Sequence, residues 1–190
     1  DENLAGSFNG TLLVATVVVL SFLALYYSGN KLVTKTDTSK IAKPVAIALM
    51  ISIGIGLHNF GEGLAIGASV GMGSIAFSTF LIVGFALHNT TEGIAIAAPM
   101  SRGKLMIGKL VALGLIAGSP AIFGAWIGGF AYSPFSSVVF LAVGAGAIFQ
   151  VILVLLKWIK DEGDKTLSSA AVICGFAVGM SIMYLTSIFA

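Results

Sequence analysis

Charge is scarce in this chain, and that scarcity excludes most soluble folds. Charged residues make up 9% of the 190 residues, whereas soluble domains carry about 25%. Cysteine is almost absent, and the single Cys174 can close no internal disulfide and build no cysteine cluster. The common phosphate-binding and hydrolase signatures are missing too. There is no Walker loop, no Gly-x-Ser-x-Gly, and no GxGxxG inside a soluble βαβ unit. No segment alternates apolar and polar residues as the strands of a membrane β-barrel do. What remains is apolar. Hydrophobic residues account for 57% of the chain and the mean hydropathy is +1.04. They fall in runs of about 20 residues, each long enough to cross a bilayer as a helix. The expectation is an all-α integral membrane protein in a single domain over 1–190. Its first partner is the lipid bilayer, and no nucleic acid is expected.

Punctuation by Pro, Gly and polar clusters predicts six spans, roughly 7–28, 44–70, 74–98, 107–131, 134–158 and 167–189. Pro44 suits the first turn of the second span. All ten Lys and Arg fall on alternate connections. Lys31, Lys35, Lys40 and Lys43 lie between the first and second spans. Arg102, Lys104 and Lys109 lie at the third connection, and Lys157, Lys160 and Lys165 at the fifth. The turns near Gly71–Gly73 and Tyr132–Ser133 have none. The positive-inside rule then puts the basic connections in the cytoplasm and both termini outside. The segment before Pro44, rich in Lys, Thr and Asp, reads as a flexible linker. Pairs of small residues four apart, Gly67/Gly71, Gly124/Gly128 and Gly175/Gly179, favour close helix packing.

Within this apolar frame one phrase occurs twice, thirty residues apart: HNFGEGLAIGAS from His58 and HNTTEGIAIAAP from His88. The two copies hold both histidines of the chain. They also hold Glu62 and Glu92, the acids placed inside the predicted spans. His and Glu four apart share one helix face, and both pairs fall near the middle of their spans. A tight turn joins the second and third spans, so these run antiparallel. If their faces meet, two imidazoles and two carboxylates form an N₂O₂ set, with Asn59 and Asn89 as further oxygen donors. Such a set suits Zn²⁺ or another divalent transition metal, and liganding atoms would stand about 2.0–2.2 Å from a Zn²⁺. A bare carboxylate at the bilayer centre costs roughly 2.5–3.5 kcal/mol on insertion scales. Two facing carboxylates also repel unless a proton or a metal is shared. The glycines beside the acids (Gly61, Gly63, Gly93) allow close approach or local unwinding. The alternative is that these are buried polar residues that lock two helices together. A di-iron carboxylate bundle uses Glu-x-x-His and more acids than are present, and a zinc peptidase needs His-Glu-x-x-His.

The two His-Asn-x-x-Glu-Gly motifs resemble the signature of the ZIP family of divalent metal transporters (Zrt/Irt-like proteins). That family has eight helices in a 3+2+3 inverted arrangement. The resemblance places the six spans at its third to eighth helices and implies that the first two lie outside this sequence. Asp1 rather than Met at the first position points the same way. By resemblance, His58, Glu62, His88 and Glu92 would hold the transported metal, and Asn59 and Asn89 a neighbouring position. Many relatives have an acid where Asn89 stands, and some add a carboxylate from the next helix. Here the fourth span offers only Ser119, Pro120 and Ala121, so one metal is expected rather than two. The function implied is passage of Zn²⁺, or of Fe²⁺, Mn²⁺ or Cd²⁺, towards the cytoplasm through a cell membrane, plasma or bacterial inner. A homodimer is a family expectation, and no enzymatic activity is implied. The competing classes are an intramembrane metalloenzyme and a structural subunit.

The remaining polar and soft side chains read as structural. Gln150 is expected to make a helix–helix hydrogen bond. Pro120 suggests a kink or a hinge. The six methionines are scattered as packing residues rather than clustered as copper ligands. Trp126 and Trp158 read as packing or interface anchors.

Overall fold

The computed structural model describes residues 10–34, 43–101, 106–162 and 169–188. These form six helices and no strand: α1 (Gly10–Thr34), α2 (Lys43–Gly71), α3 (Ile75–Ala97), α4 (Ile107–Phe130), α5 (Pro134–Glu162) and α6 (Ala170–Ile188). By length and composition α1 to α5 are long and apolar enough to cross a membrane. The apolar stretch of α6, Ala170–Leu185, is shorter than that. The observed limits follow the predicted ones with two extensions. α1 continues past Ser28 to Thr34, because nothing in Gly29–Leu32 breaks a helix and Lys31 in its last turn complements the helix dipole. α5 continues to Glu162 and takes Asp161 into its last turn. At Pro99 the end of α3 tightens into one 3₁₀ turn, Ala98–Met100. The expected linker 35–42 and the connections 102–105 and 163–168 lie outside the described residues.

α2 is the centre of the bundle. It packs most extensively on α4, then on α5, and meets α3 across a tight turn; α1 lies mainly on α5, and α6 has its main contact with α3. Glycine decides how close α2 and α4 come. A Cβ on Gly63 or Gly67 would run into the α4 backbone at Ala121 and Ala125, and one on Gly124 or Gly128 into the α2 backbone at Phe60 and Leu64. The expected small-residue pairs Gly67/Gly71 and Gly124/Gly128 thus face each other across one seam. Such backbone-to-backbone contact supplies the dispersion that holds helices together where lipid removes the hydrophobic drive. The third pair does not behave this way: Gly175 and Gly179 have nothing within 4 Å.

The core below this seam joins Ile47, Ala48, Ile51 and Ile55 of α2 to Met100, Leu113, Ala117 and Val151 of the neighbouring elements. Trp158 packs against it, whereas Trp126 is exposed. Met50 and Met100 are buried, and Met72, Met106, Met180 and Met183 are exposed, the last two both on α6.

The turn between α2 and α3 sets their register. Gly73 adopts φ +75°, a conformation that costs glycine nothing. Across the turn the Ser69 and Ser78 hydroxyls lie 2.8 Å apart, both buried. That contact makes residues whose numbers sum to about 147 face each other, which brings His58 and His88 to the same level.

Candidate metal centre

The histidine level is where the site forms. The His58 and His88 rings stand 6.4 Å apart, centre to centre. His88 Nε2 donates to Glu62 Oε1 at 2.6 Å, and His58 Nε2 lies 3.3 Å from the same oxygen. One ligand atom from each of His58, Glu62 and His88 can be chosen so that all lie within 4.8 Å of one another. One carboxylate oxygen is therefore addressed by two imidazole nitrogens. A cation placed there would take over the Nε2 position now used for donation, and the proton on that nitrogen would have to leave or move to Nδ1.

The ligand groups are held by their helices. Phe85, one turn before His88, meets its ring edge-on at 5.5 Å. Thr91 Oγ1 donates to the His88 carbonyl at 2.6 Å. His58 is seated against α5 at Gly144, where a Cβ would stand 3.2 Å from the His58 Cα. Nothing in the sequence signals that seat. The Ser69–Ser78 pair could have been suspected only from its two serines flanking the turn. Glu62 and His88 are nearly buried, whereas the His58 side chain keeps 32% exposure, so access to the cluster is past His58.

Glu92 stands apart from the three. The two phrases repeat in the same chain direction, but α2 and α3 run antiparallel. The order His-x-x-x-Glu therefore carries Glu62 one turn towards Gly73 and Glu92 one turn away from it. Glu92 remains within electrostatic reach of His58, Glu62 and His88. Its Oε2 is buried with no hydrogen-bond partner.

The asparagines divide in a similar way. Asn59 is buried and donates from Nδ2 to the Ala117 carbonyl of α4 at 3.1 Å. That carbonyl lies next to the break that Pro120 makes in the α4 ladder, since proline has no N–H to give to Ile116. Asn89 Nδ2 reaches Glu62 Oε2 at 3.5 Å, a weak contact. The Oδ1 atoms of both asparagines are buried and unpartnered. Three oxygen acceptors around one His/Glu cluster thus lack donors. Buried acceptors are rarely left so, and a cation with its water satisfies acceptors that have no N–H nearby. The residues present fit a divalent metal ion.

A scan against protein-family models gives no match for this chain, and searches of the curated proteins and of the solved structures give none either.

Proposed function

We propose that this protein carries a divalent transition-metal cation across a membrane, as its two His-Asn-x-x-Glu-Gly motifs imply by their resemblance to ZIP transporters. The observation that carries the reading is the cluster of partly exposed His58 with buried Glu62 and His88 and its three unpartnered oxygen acceptors, set in helices long and apolar enough to span a bilayer. Zn²⁺ is the first candidate, since two imidazoles and a carboxylate suit it; Fe²⁺, Mn²⁺ and Cd²⁺ are the others. His58, partly exposed, receives the ion. Glu62 supplies the charge that offsets lost hydration, and His88 completes the nitrogen pair. Glu92 and the Asn59 and Asn89 oxygens hold the ion's remaining water. Loading displaces protons, so acid competes with metal. The alternation of basic connections along the sequence favours a cytoplasmic Lys43 end of α2 and termini outside. The ZIP resemblance implies transport towards the cytoplasm, and release follows movement of α2 and α3 against the other helices.

The packing alternative has one observation in its favour: the 2.6 Å His88–Glu62 bond also ties α2 to α3. Reconstitution separates the two. Vesicles containing the protein and a zinc-sensitive dye should fill with Zn²⁺ when it is added outside, and those containing the His88→Ala variant should not. A folded wild-type protein that neither binds nor passes Zn²⁺, Fe²⁺, Mn²⁺ or Cd²⁺ would reduce the motif to a helix lock.

A further inference from the structure

Gln150 is the most fully buried polar side chain with an unanswered oxygen. It lies on α5 at 2% exposure, and its Oε1 is buried without a hydrogen-bond partner. The helix–helix hydrogen bond expected of this side chain is not made through Oε1. The side chain faces α2 at Gly54, where a Cβ would stand 3.1 Å from Oε1 and 2.5 Å from Val151 Cγ2. Gly54 precedes His58 by one turn. Met50, Gly54, His58 and Glu62 recur every fourth residue and so form one stripe on α2. α5 covers that stripe from Gly144, against His58, to Gln150 and Val151, against Gly54. Gln150 is thus about one helical turn, roughly 6 Å, from the histidine level on the side away from Glu62.

Two half-open pockets lie on that side. The first, of about 100 Å³, is lined by Gln150, Ser28 and Met50 among apolar neighbours. The second, of about 160 Å³, shares Met50 and is lined by Asn30, Lys43, Lys157 and Asp161. Only the Met50 side chain is common to both. The second lies at the end of α2 that carries Lys43, and its lining offers oxygens from Asn30 and Asp161.

We propose that Gln150 is a second binding site for the cation, a neutral way-station that takes it from His58 and passes it through the Met50 cavities towards Asn30 and Asp161. This rests on the transport reading above and adds its route. The chemistry follows from charge. Glu62 binds with a fixed negative charge, which favours capture. An amide oxygen offers one donor with no net charge, so the ion keeps most of its water and leaves readily. Conduction through successive sites needs that second kind of site after the first. Both cavities are large enough for several waters.

The test compares the wild type with Gln150→Leu and Gln150→Met, two variants of similar length without the oxygen. One measurement is Zn²⁺ binding by calorimetry up to millimolar metal, and the other is Zn²⁺ uptake by reconstituted vesicles. High-affinity binding at His58, Glu62 and His88 should stay within about twofold of wild type. A second, weak equivalent should disappear, and uptake should slow by about tenfold or more, in the range typical for losing a supporting metal contact. Normal uptake together with an unchanged weak equivalent in either folded variant overturns the proposal. If the wild type passes no metal but its weak equivalent is still lost with Gln150, the second site stands and the transport reading falls.

Discussion

The two copies of the repeated phrase share seven of their twelve residues but occupy opposite surroundings. In α2 the residues around the motif are almost all buried, and Gly63 presses on the α4 backbone. In α3 the buried residues reduce to Ser78, His88 and Ile96, and Gly93 has nothing within 4 Å. Glu62 accepts from His88 and has His58 Nε2 3.3 Å from the same oxygen, whereas Glu92 keeps a buried oxygen with no partner. Asn59 is tied to α4, while Asn89 has only a long contact to Glu62. The lesson is a division of labour. The α2 copy anchors the site to the rest of the bundle, and the α3 copy presents groups to it from a helix with few neighbours. On the proposed transport reading, a site that loads and unloads needs one wall that stays and one that can move.

Matched substitutions in the two copies break or sharpen this contrast. The largest difference is expected at the glycines after the acids. Gly63→Leu forces α2 and α4 apart and should cost about 3 kcal/mol or more, since overpacking against backbone has no side chain to give way. Gly93→Leu points into open space and should stay within about 0.5 kcal/mol. Thermal unfolding of both variants in detergent measures the gap, and equal destabilisation would mean that the two copies are packed alike.

Next come the acids. Glu62→Gln removes the charge addressed by both imidazoles and should weaken Zn²⁺ binding by about 100-fold, while Glu92→Gln should weaken it by about tenfold, as an outer contact does. Calorimetry at one pH with both proteins checked for folding decides it. A larger loss at Glu92 would move the centre of the site to α3.

The smallest difference is expected at the asparagines. Asn59→Ala removes the side-chain donor that α2 gives to the Ala117 carbonyl and should cost about 1 kcal/mol. Asn89→Ala loses a 3.5 Å contact and should change stability by less than about 0.5 kcal/mol. Equal melting temperatures for the two would show that the Asn59–Ala117 bond contributes nothing to holding α2 on α4.

Much of this was readable from the chain alone, for a local reason. Helix class and span positions follow from composition and from runs of apolar residues, which each segment carries by itself. The antiparallel hairpin follows from a short Gly-containing turn, and the four His and Glu residues stand out because nothing else ionisable shares their segments. Which copy would be buried was not readable. Lipid and protein interior are equally apolar, so hydrophobicity cannot separate a helix face that meets protein from one that meets lipid. Gly63/Gly67 and Gly175/Gly179 look alike in sequence, yet only the first pair meets a backbone. The place of Glu92 was hidden for a different reason. A repeat in sequence is a translation, but the hairpin turns its second copy around, so equal spacing along the chain becomes opposite displacement in space. Gln150 and the Gly144 seat for His58 depend on how α5 docks on α2. That docking arises from contacts some ninety residues apart in the chain, which no local pattern records and only the packed bundle decides.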